Sequence, residues 1–158
     1  MTEELSEGNE IRVRQVRMDD AGAVAGLSGQ LGYPASTGET KRRLAGIESD
    51  PAHAVYVAEL STGEVVGWVH VYACDFLVAE RQAMVGGLVI DERFRNRGIG
   101  RLLMEKAEDW ACQHGCQGIS LRTNIKRNDA HRFYKRIGYR HAKTQHKFEK
   151  ELNREGSS

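Results

Sequence analysis

Apolar and polar positions alternate along IRVRQV, residues 11–16. Ile11, Val13 and Gln15 fall on one side, and Arg12, Arg14 and Val16 on the other. That period of two predicts a strand. The period then lengthens. Val24, Leu27 and Leu31 recur at helical spacing behind Asp19 and Asp20, either of which suits an N-cap, and Gly32, Tyr33 and Pro34 stop the run. Ser36 and Glu39 have capping-box spacing ahead of a short helix with Leu44 and Ile47. HAVYVAEL (53–60) and EVVGWVHVYA (64–73) flank the turn residues Ser61, Thr62 and Gly63 and read as an antiparallel hairpin. RQAMVGGLVID (81–91) is richly apolar, which predicts a central strand. Ile99, Leu102, Leu103, Lys106, Ala107, Trp110 and Ala111 follow helical spacing up to Gly115. GISLRT (118–123) predicts a strand, NDAHRFYKRIGY (128–139) a short helix from an Asn/Asp cap, and HAKTQHKFEKEL (141–152) a last edge strand. This order predicts an α+β fold (α/β mixed): a central mixed, mostly antiparallel sheet flanked by helices, with a crossover in its last part.

A length of 158 residues with 40% hydrophobic side chains suits one domain, 1–158, with residues 1–9 and 153–158 as tails. Lys and Arg number 23 against 22 Asp and Glu, so no domain-wide positive field points to nucleic acid. MTEELSEGNE is acidic and polar, unlike a signal peptide, and no apolar run approaches a membrane span. Three sparse cysteines, Cys74, Cys112 and Cys116, argue against a disulfide framework and for a reducing cytoplasm. Cys112, His114 and Cys116 lack a second ligand pair at suitable spacing, so no metal is expected.

RFRNRGIGRLL, residues 93–103, stands where the central strand hands over to a helix. A helix N-terminus presents N–H groups without intrahelical partners and carries positive dipole character. Gly98 and Gly100 allow close approach to the backbone, and Arg95, Arg97 and Arg101 add charge. The stretch therefore suits a phosphate or pyrophosphate, as well as a plain turn with solvated arginines. The P-loop motif is absent, and position 103, where the dinucleotide fingerprint needs a third glycine, is Leu.

Arg95-Asn96-Arg97-Gly98-Ile99-Gly100 matches another pattern, [Gln/Arg]-x-x-Gly-x-[Gly/Ala], of the GNAT superfamily of N-acetyltransferases. AHRFYKRIGY (130–139) resembles that family's Ala-x-x-x-Tyr-x-x-x-Gly-[Phe/Tyr] helix. The two motifs lie about thirty residues apart with a helix and a strand between them, and the resemblance covers roughly residues 11 to 150. It implies the GNAT-like acyl-CoA N-acyltransferase fold, acetyl-CoA as co-substrate, a primary-amine acceptor, and a homodimer.

The resemblance also implies residue roles. Arg95, Asn96, Arg97, Gly98, Ile99, Gly100 and Arg101 would cradle the pyrophosphate, chiefly through backbone N–H groups. Leu88, Val89 and Ile90 would pair their backbone with the pantetheine arm. Tyr134 either protonates the departing thiolate or packs beside Phe133. The family's pantetheine Asn is displaced by one here, so Asn128 either contacts CoA or caps its helix; His131, one turn before Tyr134, either faces the cofactor or lies on a solvated surface. Tyr33, in LGYPAST (31–37), either packs on the acceptor or closes a helix end. LGYP is similar to relatives that acetylate aminoalkylphosphonates and aminoglycosides.

A thioester is an activated acyl donor, so alignment, carbonyl polarisation and two proton transfers suffice, without a metal. An alkylamine of pKa about 10.4 must be deprotonated, at about 4–5 kcal/mol near pH 7. Candidate bases are His70, Asp75 and Glu80, with a free backbone carbonyl at a strand irregularity around Gly86 and Gly87 as the alternative. The function expected is acetyl transfer to a small-molecule amine. Alternatives are a non-catalytic acyl-CoA-binding sensor and a protein N-terminal or lysine acetyltransferase.

Overall fold

The computed structural model of the chain describes residues 10–123 and 127–153. Two compact units divide the chain after Arg122. The first contains β1 (Ile11–Gln15), α1 (Ala21–Leu31), α2 (Thr37–Glu48), β2 (His53–Leu60), β3 (Val65–Cys74), β4 (Gln82–Ile90), α3 (Ile99–Gln113) and β5 (Gly118–Ser120). The second contains α4 (Asn128–Arg136).

The sheet has the order β1-β2-β3-β4-β5. Neighbours are antiparallel through β4, including the predicted β2–β3 hairpin, and β4 pairs with β5 in parallel across the α3 crossover. Adjacent residues of β2 define the layers, because neighbours along a strand point to opposite faces. Val55 packs with Ala21 of α1 and Leu44 of α2. Tyr56 lies under the ammonium of Lys106 on α3. Helices α1 and α2 thus cover one face and α3 the other. The core is built from Val57, Val66, Val69 and Val71 with Leu103, Met104 and Ala107 of α3, all fully buried. Each of the larger side chains contributes about 1.5–3 kcal/mol by burial.

The capping box predicted at Ser36 and Glu39 is present: each side chain accepts the other residue's amide, at 3.0 and 2.9 Å. The cap predicted for α1 is not. Asp20 occupies the N-cap position but its side chain makes no cap bond. It accepts instead from both Nη atoms of Arg14, at 2.9 Å each, and from the Arg17 amide at 2.6 Å. A half-buried guanidinium outcompetes the helix amides for a buried carboxylate. The edge strand expected over residues 141–152 is also absent: after α4 the described residues carry no strand, and 140–153 is exposed. His141, Lys143, Gln145, Lys147 and Glu149 leave one side of that stretch wholly polar. The other has little to bury besides Phe148 and Leu152, themselves exposed. The strand read over 118–123 shortens to Gly118–Ser120.

Candidate active site

The register between β3 and β4 shifts at His70/Val71: His70 pairs with Gly87, and Val71 with Val85, so Gly86 is an extra residue. Such a bulge can turn two consecutive side chains to the same face. Both glycines show this directly. A Cβ on Gly86 would lie 2.5 Å from Nδ1 of His70, and a Cβ on Gly87 would lie 2.8 Å from the Trp68 ring. Any larger residue would collide, which is why two glycines stand in an apolar strand. Val55 pairs with His70, so both glycines turn to the α1/α2 face.

A bulged strand bends. Parallel pairing of β4 with β5 stops at Met84–Ser120, two residues before the bulge. Leu88, Val89 and Ile90 keep their partners on β3, namely Val69, Trp68 and Gly67. On their other side no strand follows among the described residues, leaving backbone groups for an extended ligand.

At the end of β4 the Asp91 side chain accepts the Arg93 amide at 3.0 Å and starts a single 3-10 turn, Glu92–Phe94. Asn96 follows with φ 65° and Gly98 with φ 83°, both in the left-handed region. Gly98 is the N-cap of α3 and offers no side-chain cap. The amides of Ile99, Gly100 and Arg101 have no acceptor among the described residues. They form an anion cradle with the helix dipole behind it, and a pyrophosphate fits that donor set. The arginine side chains are already engaged. Arg95 Nε donates to the Ile90 carbonyl at 3.1 Å, Arg97 lies over the Phe94 ring, and Arg101 pairs with Glu105 at 3.5 Å.

In the second unit, Arg127 takes the N-cap position of α4 and makes no side-chain cap bond. Asn128 is the first helical residue, so it is not the cap. His131 lies one turn on, its amide donating to the Arg127 carbonyl at 3.1 Å. Tyr134 meets Phe133 and Tyr139 edge to face, with ring centroids 5.0 and 5.9 Å apart. Burial raises its phenol pKa above the ordinary value, against a smaller opposing effect of Arg127.

Tyr33 does both things expected of its position only in part. Its amide closes α1 by donating to the Ser28 carbonyl at 2.9 Å, while its side chain is 73% exposed. Of the candidate bases, Asp75 is held by both Arg81 contacts at 2.9 Å, and Glu80 is exposed in the β3–β4 loop. His70 alone of the three stands at the bulge. His114 stacks on Trp110 and no group of three His, Cys, Asp or Glu suited to a metal occurs among the described residues. No helix among them is long and apolar enough to cross a membrane. Sequence reading overlooked His53, whose Nδ1 lies 2.9 Å from Nε2 of His70. The hairpin register was its one available signal, and a second bulge, at Ala58/Glu59, shifts that register.

The family model of the Acetyltransferase (GNAT) family matches residues 23–139. The aminoalkylphosphonate N-acetyltransferase of Salmonella typhimurium is 41% identical over 86 residues, which are 54% of this chain and 56% of that protein. The match thus spans little more than half of that relative. An uncharacterized N-acetyltransferase of Chlorobaculum tepidum is 32% identical over 128 residues, covering 81% of this chain and 74% of its own. Among solved structures, an aminoglycoside N-acetyltransferase in complex with CoA shares the fold, with a TM-score of 0.82 at 16% identity over 92% of this chain and 98% of that one. With its motifs seated on the uncapped turn before α3 and on α4, this chain belongs to the GNAT family of acetyltransferases.

Proposed function

We propose that this protein is an N-acetyltransferase that moves the acetyl group of acetyl-CoA to a primary amine of a small molecule, by direct attack in a ternary complex. The observation that carries the reading is the coincidence, on one strand, of a ladder that stops at Met84–Ser120 and an uncapped helix start that follows at Gly98. One supplies free backbone beside β4, the other unpaired amides for an anion. An extended chain ending in a pyrophosphate needs both.

In this reading the amides from Arg95 to Arg101 hold the pyrophosphate, and Leu88, Val89 and Ile90 hold the pantetheine arm. Asn128 and His131 assist the cofactor. Tyr134 protonates the thiolate; burial raises its phenol pKa and so keeps the donor protonated near neutral pH. Tyr33 offers an exposed ring to the acceptor. A small acceptor is supported by the Salmonella relative, named for aminoalkylphosphonates, and by the aminoglycoside enzyme of the same fold. The test is thiol release from acetyl-CoA with a panel of aminoalkylphosphonates, aminoglycosides and alkylamines. Amine-dependent release is expected, and none with any amine would overturn the reading.

A further inference from the structure

His53 and His70 face one another across the β2–β3 pair, their rings stacked with centroids 5.2 Å apart. The 2.9 Å contact joins Nδ1 of His53 to Nε2 of His70. Behind His53, its Nε2 lies 3.7 Å from Oδ2 of Asp50, whose other oxygen accepts the Ala52 amide at 2.9 Å. In front of His70, Nδ1 abuts Gly86 and has no hydrogen-bond partner among the described residues. A methyl at position 86 would lie too close to that nitrogen for the ring to stay where it stands. The row therefore runs from a surface carboxylate through two imidazoles to an open nitrogen at the bulge.

We propose that Asp50, His53 and His70 form a proton relay that takes the proton of the acceptor amine at the Gly86–Gly87 bulge. His70 touches the amine; His53 and Asp50 are positioning residues behind it. The proposal rests on the acetyltransferase reading above.

The tautomers follow from the carboxylate. Asp50 favours the His53 proton on Nε2, which leaves Nδ1 of His53 as acceptor. Nε2 of His70 then donates, and its Nδ1 keeps a free lone pair. Burial, with His53 as a second cause, lowers the His70 pKa to about 4, so the ring is neutral at physiological pH. A ring so reluctant to hold charge is a poor terminus for a proton but a good conduit. The acceptor ammonium gives one proton to Nδ1 of His70, and the Nε2 proton of His70 moves to Nδ1 of His53. The freed nitrogen bonds to the thioester carbon, the C–S bond breaks with its electron pair on sulfur, and the nitrogen's surplus proton ends on the departing thiol. The positive charge ends on His53, beside Asp50. Other titratable groups nearby are Tyr72, which stacks on His53, and Glu48 and Arg17, which line a small cavity with it. Helix α1 has no ionisable side chain.

The test is the pH profile of kcat/KM, with the fastest acceptor of the amine panel, for wild type, His70→Gln, His53→Gln and Gly86→Ala. Loss of a general base costs about 10²-fold or more. His70→Gln is expected to lose that at pH 7 and to recover most of it toward pH 10, where the amine deprotonates unaided. His53→Gln is expected to show the same trend with a smaller deficit. Gly86→Ala keeps both imidazole side chains but forces the His70 ring away from the bulge, since a Cβ there would lie 2.5 Å from Nδ1, so it reproduces the His70 profile if His70→Gln does not fold. Acetyl-CoA affinity is expected to stay within twofold for all three. Wild-type rates in the His70 and Gly86 variants, or deficits equal at pH 7 and pH 10, would overturn the relay alone. A wild-type protein that neither binds acetyl-CoA nor releases thiol would overturn the acetyltransferase reading, and the relay with it.

Discussion

The amide of Leu102 donates to the carbonyl of Gly98 at 3.2 Å, and this is the first rung of α3. Gly98 holds φ 83° and has no side chain to cap the amides ahead of that rung. A Cβ there would meet nothing within 4 Å, so the backbone conformation alone requires glycine. Gly98→Ala is expected to cost about 1–2 kcal/mol, lowering Tm by several degrees. It should also weaken acetyl-CoA binding at least several-fold as the turn relaxes. Thermal unfolding and calorimetry check both; an unchanged affinity would show that the turn does not hold the cofactor.

The bulge makes a separate prediction. Gly87→Ala would place a methyl 2.8 Å from the Trp68 ring, an overpacking of about 1–3 kcal/mol. Trp68→Leu in the same chain removes the obstacle. The double variant is expected to be more stable than the two single losses add up to, by 0.5 kcal/mol or more on the scale of contacting pairs. Strict additivity in urea unfolding would mean the two positions do not touch. Turnover by Gly87→Val is expected to fall with its stability, and unchanged kinetics would count against a role for the bulge.

Arg14 and Asp20 tie β1 to the start of α1. The hydrogen bonds from Arg14 outweigh burial and, with the Arg17 amide, hold the Asp20 carboxyl below its ordinary pKa. Its contribution is therefore present above the unfolded-state value of about 3.9 and is lost as pH falls through the folded-state value. Asp20→Ala is expected to cost about 1.5–3 kcal/mol near neutral pH, since it removes charge-assisted hydrogen bonds and leaves the half-buried guanidinium of Arg14 to Glu59 alone. The gap between variant and wild type should narrow progressively as pH falls below about 4. A gap of unchanged size from pH 6 down to pH 2 would assign the effect to packing.

Tyr134→Phe is expected to lower kcat about 10²-fold, with acetyl-CoA affinity within twofold of wild type. The raised phenol pKa keeps the wild-type group protonated through the usual assay range. No loss of the acid should therefore be visible below pH 10. An equally active Phe variant would remove Tyr134 as the acid.

Most of the architecture was legible because period and punctuation agreed. The Ser36–Glu39 box, the Ser61–Gly63 turn and the Gly98 helix start each stand where their residue types require. Asp20 was misread because local capping chemistry does not reveal Arg14, six residues back and across a strand turn. The strand expected over 141–152 failed because one side of its alternation is wholly polar and the other has Phe148 and Leu152 as its large apolar residues. In the site, glycines at a helix start left an anion cradle and a plain turn both open, and it is the resemblance to the GNAT pattern that singles out Arg95 to Arg101. The His53–His70 contact could not be named in advance. It depends on a hairpin register that one bulge shifts, and on a second bulge that leaves only glycine at position 86.

Calorimetric titration of the intact chain with acetyl-CoA tests the central claim most directly. One molecule per chain is expected to bind with micromolar or tighter affinity, and S-acetylpantetheine, which lacks the pyrophosphate together with the adenosine 3′-phosphate, to bind far more weakly. No heat with acetyl-CoA, or equal affinity for S-acetylpantetheine, would contradict the assignment of the Arg95–Arg101 turn as the pyrophosphate cradle.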